Sequence, residues 1–164
     1  MKRICLPVLF LLTSLFAVAQ HPVSLTPEQR KTDEAIDSEI IWPAVNDAQH
    51  NESTPDWESL RKNLSSKYDV ACGNRAVIRG KIFFNFNKDW KVFNECLVEY
   101  TEKYEDRGDA HLMNKNAGMI LQHSTDKVQL QKALTWSKMA LDKEPDNDVY
   151  RKTSDDLKAK IASL

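Results

Sequence analysis

The feature that most constrains the fold is an apolar stripe in WKVFNECLVEYTEKY, residues 90–104. Its large side chains are spaced 3, 4, 3 and 4 residues apart, at Trp90, Phe93, Leu97, Tyr100 and Tyr104. This spacing puts all of them on one face of an α-helix. Glycine is scarce, with 4 in 164 residues, and the alternating pattern typical of strands is rare. The sequence therefore predicts an all-α fold.

Capping residues and helix breakers divide the chain into segments. Thr26 and Pro27 predict the start of a helix that runs to about Ile41 and ends or kinks at Pro43. The polar stretch NDAQHNESTP that follows, from Asn46, predicts a loop or linker. We therefore expect an N-terminal helix and linker over 20–55 and a helical domain over 56–164.

Within that domain the apolar period recurs between short polar turns. Asp56 predicts the start of a short helix with Trp57, Leu60 and Leu64 on one face. Further helices are predicted over about 70–86, 90–104, 110–122, 128–143 and 149–163. Because the connections are short, neighbouring helices must run antiparallel and form hairpins.

Small residues near the C-terminus indicate how the hairpins pack. Ala133 and Ala140 are two turns apart on one helical face, where small side chains let a neighbouring helix approach closely. Pro145 then ends the helix. This spacing resembles the tetratricopeptide repeat, whose units of 34 residues are antiparallel helix pairs. On the first helix of the pair, the packing face would carry Ala117, Ile120 and Leu121, with Ala117 where that repeat prefers tryptophan.

A longer resemblance covers about Trp57 to Ile161. It is similar to the helical tail that follows a thioredoxin-fold domain in some exported bacterial proteins. The three regions that carry it are a KY/NR region, a DW-x-x-F region and an ALxWS region, at Lys67–Arg79, Asp89–Phe93 and Ala133–Pro145. The resemblance implies a tetratricopeptide-like array and an association with thioredoxin-like proteins. The chain has no C-x-x-C, so it does not imply redox catalysis.

The N-terminus has the layout of a secretory signal peptide. Lys2 and Arg3 precede an apolar run, and Ala17-Val18-Ala19 supplies a cleavage site. We expect residues 1–19 to be removed on export to the periplasm or the medium. The remaining 145 residues would carry a formal charge of −3 instead of −1. A mildly acidic protein without a basic face is not expected to bind nucleic acid, and after signal removal we expect no membrane partner.

Two cysteines remain after such cleavage, Cys72 and Cys96. If 70–86 and 90–104 form a hairpin that turns near Asn87, the two lie about 9 Å apart along the helix axes. A disulfide usually needs Cα atoms within about 7 Å, so buried free thiols are predicted. The alternative is a thiol-reactive protein, or an accessory of a thioredoxin-like system, that uses Cys72 or Cys96.

No other residues form a recognisable catalytic or metal site. The histidines are scattered without an i, i+4 pair: His21, His50, His111 and His123. Adjacent residues of one turn, as in His123–Asp126, cannot adopt triad geometry, and Ser124 or Thr125 is better explained as a helix cap. The carboxylates Glu34, Asp37 and Glu39 are expected to be solvated. The sequence predicts no catalytic residue, no cofactor and no metal.

The aromatic cluster Phe83, Phe84, Phe86, Trp90 and Phe93 is expected to be mostly core, with Trp90, Phe93 and Leu97 buried. Because 83, 84 and 86 cannot all face one way, Phe84 is predicted to be exposed and to form, with Lys88, a surface for a protein or peptide partner. The last helix, 149–163, is expected to cap the array, with Tyr150, Leu157 and Ile161 inward. The functional hypothesis is an exported, non-catalytic interaction or scaffold protein.

Overall fold

The computed structural model describes residues 25–164; the predicted signal peptide and His21 lie outside this range. Within it the all-α prediction is confirmed, since helices pack in consecutive pairs and no strand is present. The elements are α1 Pro27–Ile36, a π-helical segment Asp37–Ile41, α2 Trp42–His50, α3 Trp57–Lys67, α4 Val70–Asn85, α5 Trp90–Tyr104, α6 Ala110–His123, α7 Lys127–Lys143 and α8 Asp148–Ala162.

Side-chain acceptors set the helix starts, because each satisfies a backbone N–H that the first turn leaves free. These caps are Thr26, Asp56, Asp69, Asp89, Asp109, Asp126 and Asn147. Ser124 is the C-cap residue of α6, whereas the N-cap of α7 is Asp126 and not Ser124 or Thr125. Asp126 accepts from the backbone N–H of Gln129 at 2.9 Å, and the Ser124 hydroxyl instead accepts from the backbone N–H of Asp126 at 3.0 Å.

The predicted linker from Asn46 is wrong for its first five residues, which are helical and belong to α2. The chain passes from α1 into α2 through the π-helical segment, and Pro43 then falls in the first turn of α2. Proline is tolerated there because it lacks a backbone donor that the first turn does not use. Burial of Val45 and Ala48 then holds the polar sequence in a helix.

A large apolar cluster joins α5 to α8 and contains the small residues singled out above. Ala117, Ala133 and Ala140 are completely buried, which confirms the packing prediction, and Pro145 is the second residue after the end of α7. Phe93 and Leu97 are buried as predicted. Trp90 is only partly buried at the edge of this cluster, so its assignment to the core is wrong.

The helix α8 covers one end of this cluster. Tyr150 and Leu157 are buried against it and Ile161 is partly buried. The charged side chains of α8 face outward apart from Lys160, whose Nζ donates to the carbonyl of Leu121 at 2.7 Å. The predicted capping arrangement is confirmed. None of the helices within residues 25–164 combines the length and apolar content that a bilayer crossing requires.

A second apolar cluster ties the N-terminal helices to α3 and α4, and a buried ion-pair network lies beside it. Asp33 accepts from Arg75 Nε at 2.6 Å and from Arg79 Nη1 at 2.7 Å, and Asp37 accepts from Arg79 Nε at 2.8 Å. Two carboxylates four residues apart therefore meet two arginines four residues apart. The expectation that Asp37 is solvated is wrong for this reason, although burial still raises the pKa of its carboxyl.

Candidate functional site

An open groove of about 580 Å³ lies between α4, α5 and α6. It exists because α5 and α6 contact each other far less extensively than the helices of the α4–α5 and α6–α7 pairs. The apolar side chains that line it come from all three helices. They include Ile82, Phe83, Phe86, Phe93, Leu97 and Met119.

The groove is two helical turns long. Each helix contributes lining residues that begin and end seven positions apart, at 79–86, 93–100 and 112–119. At 1.5 Å per residue this is about 10 Å, the length of two turns of an α-helix. Because α5 runs opposite to α4 and α6, one end of the groove is defined by Arg79, Tyr100 and Leu112 and the other by Phe86, Phe93 and Met119.

The aromatic end of the groove continues into an exposed ridge, Trp42–Phe83–Phe86. Trp42 is 42% exposed, Phe83 37% and Phe86 49%. The ring centroids of Trp42 and Phe83 are 4.4 Å apart, and Phe86 packs edge-on against Trp90 at 5.5 Å. Large aromatic side chains that remain this exposed beside an apolar groove are typical of an interaction site.

The polar end of the groove contains the carboxyl group of Glu105. Among residues 25–164 this carboxyl makes no hydrogen bond or ion pair. Its partial burial raises the pKa of this carboxyl to about 7, against the lowering influence of Arg30 and Arg79. Asp106 and Asp109 add to the increase because like charges disfavour ionisation.

The cations near Glu105 already have other partners. All three guanidinium nitrogens of Arg79 donate to Asp33 or Asp37. Arg30 lies 3.8 Å from the carboxylate of Asp106. Burial also raises the pKa of Tyr100, which lines this end of the groove. The groove therefore presents an unpartnered carboxyl group at one end of an apolar surface.

Phe84, the residue predicted to face a partner, does not line this groove. It is 4% exposed and packs in the second cluster, edge-on to Trp57 at 6.0 Å. The predicted exposure is therefore wrong, and it is the neighbours Phe83 and Phe86 that reach the surface. Lys88 is exposed, with its Nζ 3.9 Å from the centroid of the Phe84 ring, where it covers that ring.

Both cysteines are free and buried, as predicted. Cys72 belongs to the second cluster, whereas Cys96 lies on α5. Burial raises the pKa of both thiols, that of Cys96 to about 11. Because the thiolate is the reactive form, neither environment favours attack by these sulfurs at neutral pH.

His123 stacks on Trp90, with ring centroids 3.4 Å apart and the planes nearly parallel. Its carbonyl accepts from Asn94 Nδ2 at 2.9 Å. The Ser124 hydroxyl bonds to Gln129 and not to the histidine ring. Between residues 25 and 164, no three His, Cys, Asp or Glu side chains come together as a metal site would require.

Comparison with known protein families, with curated proteins and with solved structures found no match to this chain. The functional interpretation of the groove therefore uses only the geometry of the residues that line it. Leu112, Met119 and Glu105 were not singled out in the sequence. The apolar period of α6 could have indicated the first two, but no sequence signal distinguishes Glu105 from the acidic residues around it.

Proposed function

We propose that this protein is an exported, non-catalytic interaction module that binds a helical segment of a partner protein in the groove between α4, α5 and α6. The observation that carries the proposal is the match between the groove and an α-helix. The groove is two helical turns long and is lined by apolar side chains from three helices. Amphipathic helices bind in grooves of this kind through residues at i, i+3 or i+4, and i+7.

The aromatic ridge supports the same proposal. Aromatic residues are enriched in the buried centre of protein–protein interfaces, and they often supply much of the binding energy. Neighbouring rings hold both side chains, since Phe83 packs at a tilt against Trp42 and Phe86 contacts Trp90 and Phe93. A partner that covers these rings would remove apolar area from water without first having to order them.

Export and the association with thioredoxin-like proteins enter the proposal from the sequence alone. Export is supported by the signal-peptide layout of residues 1–19, and the association by three short regions found in the order of the thioredoxin-linked tails. A thiol-reactive role for Cys72 or Cys96 is disfavoured because burial raises the pKa of both thiols.

A site-specific cross-linking experiment tests the proposal. A photoreactive amino acid is placed at Phe86 in the groove and, as a matched control, at Val149 on α8, which is 66% exposed. After irradiation of intact cells, we expect a cross-linked partner protein from the Phe86 position in the exported fraction and none from Val149. Equal cross-linking from both positions, or from Val149 alone, would refute the groove as the binding site.

A second pair of variants separates binding from stability. Phe86→Ser should weaken partner capture with little loss of stability, because the side chain is half exposed. Truncation after Asn147 removes Tyr150 and Leu157 from the core and should lower the unfolding temperature first. If the truncated protein melted normally but no longer captured the partner, α8 would be the binding element.

A further inference from the structure

We propose that the groove selects a partner helix that carries a lysine or arginine about one turn beyond its apolar stripe, where it pairs with Glu105. This inference depends on the proposed function, because it names the chemistry of the helix that the groove accepts. The observation behind it is the unpartnered Glu105 carboxyl at the polar end of an apolar groove.

Charge complementarity favours a cationic partner residue over an anionic one. The charged side chains that line the groove are Arg79, Glu105 and Lys115. Arg79 is already bonded to Asp33 and Asp37, and the side chain of Lys115 is exposed to solvent. Within the part of the chain that the structure describes, the Glu105 carboxyl makes no hydrogen bond or ion pair of its own, so a cation on the partner is favoured beside it.

The geometry places the cation relative to the apolar anchors. A helix lying along the groove covers about two turns of apolar lining, which corresponds to anchors at i, i+3 or i+4, and i+7. Glu105 follows α5 directly and lies beyond Tyr100 at the end of this lining. A basic side chain within reach of its carboxyl group therefore belongs about one turn outside the stripe.

The ionisation of Glu105 couples this recognition to pH. Burial raises the pKa of its carboxyl to about 7, so the group is largely protonated at pH 6 and largely ionised at pH 8. Lysine and arginine remain positively charged throughout this range. Affinity for a basic helix should therefore rise between pH 6 and pH 8. The titratable and charged groups near Glu105 are Arg30 of α1, Arg79 of α4, Tyr100 of α5, and Asp106 and Asp109 of the following loop.

A peptide selection tests the inference. The probe is a display library of peptides of about 15 residues on an alanine-rich helical scaffold, long enough to form a helix in water. Positions on one helical face are randomised, and selection is carried out at pH 8 on the purified protein. It is repeated on Glu105→Gln and on Glu95→Gln, a control that neutralises an exposed carboxylate of α5 outside the groove.

We expect the peptides selected by the wild-type protein to carry large apolar residues spaced three or four positions apart, with a lysine or arginine at one end of this apolar stripe. The preference for a basic residue should disappear with Glu105→Gln and persist with Glu95→Gln. For the best peptide, replacing its basic residue with glutamine should weaken binding about five- to tenfold. This loss should be seen at pH 8, be smaller at pH 6, and be absent in Glu105→Gln.

The outcomes separate this inference from the proposed function. Enrichment of the apolar stripe without a basic residue, or with an acidic one, would overturn the role of Glu105 and leave the groove as a helix-binding site. A basic preference that survives Glu105→Gln would also overturn it. If no apolar stripe is enriched, or if Phe86→Ser leaves peptide binding unchanged, both the inference and the proposed function fail.

Discussion

Replacing Asp33 with asparagine should destabilise the protein more than any other single change to a charged residue that we consider. Asp33 is 6% exposed and is shared by two buried arginines. Its carboxylate accepts from Arg75 Nε at 2.6 Å and Nη2 at 2.8 Å, and from Arg79 Nη1 at 2.7 Å. The variant keeps the shape of the side chain but leaves two buried guanidinium groups with one carboxylate, that of Asp37.

The expected loss is about 3–5 kcal/mol, the range measured when one partner of a buried ion pair is removed. An asparagine oxygen can still accept a hydrogen bond, so the lower part of that range is the more reasonable value. The matched control is Glu34→Gln on the exposed face of the same helix, which should change the free energy of unfolding by no more than about 0.5 kcal/mol.

Urea denaturation followed by circular dichroism measures both variants. A loss below about 1 kcal/mol for Asp33→Asn would show that water reaches the two arginines when the carboxylate is removed. In that case the network would not be what holds α1 against α4, and the second apolar cluster alone would have to explain their packing.

Three further predictions concern packing, protonation and thiol chemistry. Ala140→Leu should cost about 1–3 kcal/mol by overpacking a fully buried position, whereas Lys138→Leu on the exposed face should cost much less in the same denaturation assay. Burial raises the pKa of Glu105 from 4.5 to about 7, so the folded protein retains a proton that the unfolded chain loses and stability falls as pH rises through this window. Glu105→Gln should therefore raise the melting temperature, relative to the wild type, by more at pH 8 than at pH 5. An equal difference at both pH values would contradict the raised pKa of this carboxyl. Cys72 and Cys96 should react with a thiol reagent at neutral pH only after denaturant is added, and rapid reaction of the native protein would refute their burial.

Periodicity was sufficient to predict most of the fold because the helices are amphipathic and separated by short turns. Periodicity did not predict α2, because Pro43 and a polar sequence suggested a break there. A proline stops a helix only if its missing donor is needed, and after the π-helical segment Pro43 lies in a first turn, where it is not. Which turn a proline occupies depends on the preceding hydrogen bonds, and the sequence does not show them.

The candidate site could be located only approximately from the sequence. Adjacent residues on a helix differ by about 100° in direction, so the sequence correctly predicts that Phe83, Phe84 and Phe86 face different ways. The prediction that Phe84 is the exposed one is wrong. The choice depends on which face α3 covers, and that is decided by tertiary contacts such as the packing of Trp57 on Phe84. Asp37 was misjudged for a similar reason, since its arginine partner is 42 residues away.

Methyl-group NMR tests the central claim most directly. A peptide from the selection described above is added to protein labelled at its methyl groups, and the shifted signals are mapped. We predict shifts at methyl groups that line the groove, namely Ile82, Leu97, Leu112 and Met119, and none at Val149 or Leu164 on the exposed surface around α8. Shifts confined to the α8 side, with the groove methyl groups unchanged, would contradict the account.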